Sequence, residues 1–354
     1  MGESELVVVS YDALHSGADL SNEIAKAYAQ GWGVIAVSDV PGFVQARDSL
    51  LICAHKLAHL PQETLKTLED EKSLYNAGWS HGKEKLGDKP DFAKGSFYFN
   101  PISDLPGTAE DREKYPLSYP LNVWPEDDIP QLEPAAKNLG KVMHECCIDL
   151  AGHIDKYASS KIASYDPKLM EDAMRITDKA KGRLLYYFPF VDTEGKSNSE
   201  SWIGWHNDSG FLTALAGDIY VDDETGKIIE CPDKDAGLYV VNRNGQEVKV
   251  DIPKNCMAIQ LGECTQIITG GALTATPHYV RGAKVKNVAR ISCPCFIDTA
   301  PTFKLTMPPG SDVDAIYQSS DKVPPLRKRW TEDGMSFGDF LGKTFEQYYE
   351  HVKR

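Results

Sequence analysis

Residues 202–213 read WIGWHNDSGFLT, with His206 and Asp208 two apart in an otherwise largely apolar frame. Residues i and i+2 of a β-strand project from the same face. The spacing therefore predicts a strand end that presents an imidazole and a carboxylate together, either to an ion or to each other as an ordinary polar pair. A third ligand has to come from elsewhere, and His278, in ATPHYVRG (275–282), is the candidate. Two histidines and one carboxylate leave coordination positions open, which separates a catalytic metal site from a closed structural one. The HxD pair alone leaves both readings standing, because short motifs arise by chance.

Around this stretch the chain reads as short strands separated by turn residues. RLLYYFPF, WIGWHNDSGFLTAL, AGLYVVNR, EVKVDI, CMAIQLG, QIITGG, TPHYVRG and ARISCPCFI all fall between Arg183 and Ile297. Strands at that density argue for a β-sandwich or small barrel. DDETGKII (222–229) has the pattern of a protruding hairpin. The first half differs. Strands are expected at 5–10 and 31–42, and helices from about Asp19 to Gln30, Val44 to Asn76 and Glu133 to Ser159, with a shorter one near 167–176. Residues 77–130 are rich in loops, and the tail returns to helix from about Gly334. The expected architecture is α+β, mainly β with helices, as one folding unit over 1–354. Within it, a helix-rich region (1–180) packs on an all-β core (181–305), followed by a helical tail (306–354).

Bulk composition narrows the function classes. The 354 residues are 42% hydrophobic and 25% charged, as in an ordinary globular protein, with a formal net charge of −14. Neutralising phosphates needs a surplus of Lys and Arg, and the short KGR (181–183) and RKR (327–329) runs do not supply one, so no nucleic-acid partner is expected. No apolar run is long enough to span a membrane. The N-terminal MGESELVVVS lacks the basic start of a signal peptide, and Leu6 breaks the myristoylation pattern. The eight cysteines form no CxxC pair. Reduced, mostly buried thiols in a cytoplasmic protein are expected, with a monomer as the oligomeric state.

A second pair strengthens the case for a site. Arg290 and Ser292 repeat the i, i+2 spacing inside VARISCPCFI (288–297). A guanidinium in an apolar strand is costly unless an anion satisfies it. Arginine takes a carboxylate in a bidentate fork and the serine hydroxyl adds a donor. A local Asp or Glu would satisfy the arginine as well as a ligand would.

Taken in order, HNDSGFLT (206–213), GECTQIITGG (262–271), ATPH (275–278) and RIS (290–292) resemble the iron- and 2-oxoglutarate-dependent dioxygenases, specifically their isopenicillin N synthase-like branch. GWGVIAV (31–37), LPQETLKTL (60–68), LNVWPEDDIP (121–130) and RLLYYFP (183–189) resemble further segments of that family, so the likeness runs over most of residues 5–350. It implies a double-stranded β-helix, or jelly roll, with Fe(II) held by His206, Asp208 and His278. It also implies that Arg290 and Ser292 bind the distal carboxylate of 2-oxoglutarate, with Tyr187 beside them. The implied reaction consumes O2 and 2-oxoglutarate, releases succinate and CO2, and hydroxylates, desaturates or cyclises a small organic substrate, with ascorbate as an in vitro additive. The chain departs from the family at Leu185, where Asn is frequent, at Glu263 for a common Asp, and at Gly270 for a common Asn. The stretch between Asp208 and His278 is also longer than usual. An oxidase that uses no 2-oxo acid, and a non-catalytic jelly-roll binding module, remain as alternatives.

The resemblance places Lys94 in the segment that borders the substrate pocket, where a solvated loop is the other reading. His81, in the same segment, has the same two readings as Lys94. Trp79 and Phe97 are pocket candidates or simple packing. Arg183, which alternation puts on one strand face with Tyr187, reaches substrate or makes a structural ion pair. His55 and His59 have the i, i+4 spacing of a zinc helix, but Lys56 stands where a metalloprotease helix has Glu, so a helix-surface pair is expected.

Overall fold

The strands that build the site's scaffold are, in chain order, Val7–Ser10 (β1), Val34–Ser38 (β2), Gly78–His81 (β3), Lys94–Phe99 (β4), Ala180–Tyr187 (β5), Ser201–His206 (β6), Leu212–Asp222 (β7), Ile228–Ile229 (β8), Gly237–Val241 (β9), Glu247–Lys249 (β10), Cys256–Leu261 (β11), His278–Arg281 (β12) and Val288–Ile297 (β13). They come from a computed structural model that describes residues 5–83, 85–86, 89–189, 201–318 and 320–351. The chain ends at Met1–Glu3 and Lys353–Arg354, where the sequence carries no signal, lie outside the described residues.

Among the described residues these strands form two sheets. The large one has nine strands in the order β1-β2-β11-β7-β13-β5-β4-β3, with β8 paired to β7. The smaller has four, in the order β10-β9-β12-β6. Two sheets with the second half's strands alternating between them make the double-stranded β-helix architecture. One difference from expectation is instructive. The region before residue 180 does not only pack on the core but supplies β1 to β4 to the large sheet. β2 carries the β-branched Val34, Ile35 and Val37 and is buried except at Ser38, and it pairs in parallel with β1 and antiparallel with β11.

Helices cover the far face of the large sheet. Leu132–Lys161 carries Leu132, Ala136, Leu139, Met143, Leu150 and Ile154 along one buried stripe. The expected helix over 44–76 is instead three, Phe43–Leu51, Cys53–Ala58 and Gln62–Thr67. Pro61 forces the second break, because it has no N–H to donate and disfavours helix at the residue before it. QIITGG is not a strand: Gln266, Ile267 and Ile268 close the helix Glu263–Ile268, all six residues of which are buried, and residues 269–271 form the turn that follows. A short buried apolar run carries no period that separates the two.

The 222–229 hairpin forms, with Ile228 opposite Val221. Its tip rests on the Cys53–Ala58 helix, where His55 Nε2–H donates to the Asp223 carbonyl at 2.9 Å. The Tyr186 hydroxyl donates to the Asp223 carboxylate at 2.5 Å. His55 and His59 stack at 4.3 Å between ring centroids, so this pair seats the hairpin.

Candidate metal centre

Register brings the first two nitrogens together. β12 pairs with β6 so that His278 lies directly opposite His206, with ring centroids 4.1 Å apart. Asp208 is placed differently from the strand-end expectation. β6 stops at His206, and Asp208 lies in the loop that follows, pinned where the Glu263 N–H donates to its carbonyl at 2.8 Å. Its carboxylate Oδ1 comes within 3.8 Å of His278 Nε2. One ligand atom from each of the three residues lies within 4.8 Å of the others.

Both rings are aimed by their own backbone. His206 Nδ1–H donates to the Gly204 carbonyl at 2.8 Å, and His278 Nδ1–H to the Thr276 carbonyl at 3.1 Å. Each bond fixes the tautomer and leaves Nε2 as the lone pair turned to its neighbours. Burial first, and the facing His278 second, hold the His206 imidazole well below its ordinary value, so it is neutral and able to coordinate near pH 7. Asp208 Oδ2 is buried without a hydrogen-bond partner. A buried carboxylate oxygen in that state calls for a cation or donor. Two imidazoles and one carboxylate suit Fe(II) and other divalent first-row metals, with positions left over for ligands.

Behind the ligands lies a network that sequence reasoning missed. Asn207, between His206 and Asp208, donates from Nδ2 to Glu263 Oε1 at 2.9 Å. Glu263 is gripped in turn by Arg329, whose Nη1 donates to Oε2 and Nη2 to Oε1, the latter at 2.6 Å. Arg329 and Glu263 are 0% and 1% exposed. Nothing in RKR (327–329) separates a buried arginine from a solvated basic run, so no sequence signal was there to find it.

On the facing large sheet, Arg290, Ser292, Tyr187 and Leu185 share one face, together with Asp218 and Tyr220 of β7, as the pairings Arg290–Tyr187, Arg290–Tyr220, Ser292–Leu185 and Ser292–Asp218 require. Arg290 Nε donates to Asp218 Oδ2 at 2.6 Å, and the guanidinium stacks 5.0 Å over the Tyr187 ring. A local acid therefore does engage the arginine, but only one edge of it, since Nη1 is buried with no hydrogen-bond partner. Burial works against the charge, yet Asp218, Tyr187 and Tyr220 outweigh it and hold Arg290 above its ordinary value. A cavity of ≈ 280 Å³ between the sheets touches His206, Asp208, His278, Arg290, Ser292 and Tyr187 together.

Arg183 lines the same cavity, held by Nε–H donation to Ser96 Oγ at 3.0 Å and stacked 5.1 Å over Tyr98. The other three pocket candidates do not line it. Trp79 lies opposite Phe97, and Phe97 opposite Leu184, on the face turned toward the helices, where all three join the main core. Alternation along β4 decides this, and it cannot be read before the register is known. Lys94 is on the cavity side, opposite Tyr187, but it is buried in an ion pair with Asp91. His81 packs against Phe92 and Phe188, away from the cavity lining.

No protein-family model matches the chain. Scopoletin 8-hydroxylase from Arabidopsis thaliana is 27% identical over 157 residues, which span 43% of this chain and only 34% of that protein. Solved structures are alike over the full length. A Caulobacter crescentus protein assigned to the 2OG-Fe(II) oxygenase family superposes with a TM-score of 0.67 at 20% identity, covering 97% of this chain and 99% of its own. A full-length Neurospora crassa protein, crystallised in complex with alpha-KG, gives 0.69 at 19% identity, covering 99% and 98%.

The fold is that of the 2OG-Fe(II) oxygenases. In this fold the small sheet carries His206 and His278, the loop after His206 carries Asp208, the large sheet carries Arg290 and Ser292, and the cavity joins them.

Proposed function

We propose that the protein is a non-haem Fe(II)- and 2-oxoglutarate-dependent dioxygenase. It oxidises a small organic molecule by hydroxylation, desaturation or cyclisation and releases succinate and CO2. The observation that carries this reading is one cavity with two complementary ends. At one end three ligand atoms lie within 4.8 Å of one another beside an unpartnered carboxylate oxygen. At the other is a buried arginine with an unpartnered Nη1. A 2-oxo acid with a distal carboxylate has the matching ends.

His206, Asp208 and His278 would hold the iron, which when bound supplies the O2-dependent oxidising chemistry. The chain's own part is to place and shield. Arg290 Nη1 and the Ser292 hydroxyl take the distal carboxylate, and Tyr187 buttresses the guanidinium by stacking on it. Leu185, Tyr220 and Phe296 wall the cavity with apolar surface that keeps water from the reacting groups. Arg183 faces the space next to His206 and is the residue we assign to the substrate side. A small-molecule substrate is supported by the Neurospora crassa protein, which has been crystallised with thymine and with 5-formyluracil beside alpha-KG. We further read the chain as one monomeric folding unit of the cytoplasm, in keeping with eight unpaired cysteines. Among the described residues no helix is long and apolar enough to cross a membrane.

The test is anaerobic calorimetry with Fe(II) and 2-oxoglutarate, followed by an aerobic screen of small molecules for those that accelerate succinate release. Dependent binding of the two, then turnover, is expected. Iron binding without any 2-oxoglutarate binding would turn the reading toward an oxidase. Binding of both with no succinate formed under any condition would turn it toward a binding module.

A further inference from the structure

Asp218 has no role in the reading above, yet its carboxylate holds the co-substrate anchor. It sits in β7 directly across from Ser292, and its Oδ2 accepts from Arg290 Nε at 2.6 Å. Its side chain is 33% exposed where Arg290's is 7%, so the carboxylate stands at the cavity wall and the guanidinium behind it. Any carboxylate that accepts from Nη1 of the same guanidinium lies within one guanidinium's span of Asp218. The groups that act most strongly on Arg290, namely Asp218, Tyr187 and Tyr220, bring no second positive charge.

We infer that Asp218 sets the affinity for the distal carboxylate of the 2-oxo acid by competing with it for Arg290. The inference rests on the co-substrate assignment above and goes beyond it. Two effects act with the same sign. With the ligand absent, Asp218 relieves a buried cation that would otherwise be unpaired, which stabilises the empty protein. With the ligand present, two carboxylates share one guanidinium in a half-buried site, and their repulsion weakens the complex. An orienting role for Asp218 would have the opposite sign. It is the lesser effect, because stacking on Tyr187 and placement inside β13 already fix the guanidinium. Asp218 therefore narrows the preference for a dicarboxylate 2-oxo acid over a monocarboxylate one.

The experiment compares wild type with Asp218→Asn, and with Asp218→Ser should the first fail to fold. Anaerobic calorimetry with Fe(II) measures 2-oxoglutarate and 2-oxobutyrate, which lacks the distal carboxylate, and thermal unfolding is followed with and without each. The expected result is 2-oxoglutarate bound at least tenfold tighter by the variant and 2-oxobutyrate unchanged. The empty variant should melt lower than wild type, and 2-oxoglutarate should raise its Tm by more. Equal or weaker 2-oxoglutarate binding by a folded variant overturns this inference and leaves the co-substrate assignment standing. Failure of 2-oxoglutarate to bind either protein while Fe(II) still binds overturns both.

Discussion

Replacing Arg329 by Met tests whether the buried fork behind the metal ligands is structural ballast or a support for the site. The substitution removes both donors that hold Glu263 and leaves a carboxylate at 1% exposure with Asn207 as its remaining side-chain donor among the contacts described above. Breaking a buried pair from one side costs about 3–5 kcal/mol, because the surviving charge has lost its partner. Unfolding entropy is roughly 2.1 cal/mol/K per residue, so a chain of 354 residues loses about 4–7 °C of Tm. Replacing both partners, as Arg329→Met with Glu263→Met, removes the orphaned charge and should recover most of that loss. The double variant still lacks the acceptor for Asn207, so the loop between His206 and Asp208 loses its side-chain anchor and keeps only the backbone bond to Asp208; Fe(II) binding should weaken while stability returns. Calorimetric unfolding of the metal-free protein and anaerobic Fe(II) titration separate the two quantities. A single variant that melts within about 1 °C of wild type, or a double variant that binds Fe(II) as wild type does, would refute the reasoning.

Other expectations are simpler. His206→Ala should abolish Fe(II) binding in the same titration, whereas His55→Ala should leave it intact and cost about 1 kcal/mol through the lost bond to Asp223; the reverse pattern would move the metal site. Arg290→Met should weaken 2-oxoglutarate by about 10- to 100-fold, the worth of a charge-assisted hydrogen bond, with Fe(II) affinity unchanged. Asp155, which accepts from the Tyr165 hydroxyl and the N–H groups of Met170 and Glu171, is pushed up to about 6 chiefly by burial. Between its unfolded value near 3.8 and about 6, the folded chain holds a proton that the unfolded chain has released. Its contribution is therefore present in full at the acid end and lost as pH rises through 6. Asp155→Asn, which does not titrate, should lose less stability than wild type between pH 4 and pH 7 in urea unfolding. Parallel profiles would show that Asp155 titrates normally.

Spacing inside one strand was legible in the sequence, and so was motif order. Arg290 and Ser292 share a face because alternation demands it, and the structure brings them to the cavity that His206, Asp208 and His278 adjoin. What the sequence hides is pairing across the chain. Asp218 is 72 residues from the arginine it contacts, and Glu263 is 66 from Arg329. Neither partner is marked by its neighbours. Trp79 and Phe97 join the core rather than the cavity for a related reason, since alternation tells which residues share a face but not which face meets the cavity. The helix at Glu263–Ile268 was misread because full burial erases periodicity.

The two hydrogen bonds from His206 and His278 to their own backbone carbonyls have a consequence for how the protein acquires its ion. Each bond leaves Nε2 of its ring turned to its neighbours, so neither imidazole has to rotate to meet an ion. Affinity for such a nitrogen and oxygen set rises from Mn(II) through Fe(II) and Co(II) to Ni(II) and Cu(II). Iron is then among the weaker claimants to a seat that is always ready. If the proposed iron site is right, the ions on offer while the protein is made would set its occupant, and material grown in nickel- or cobalt-rich medium should come out filled and inactive.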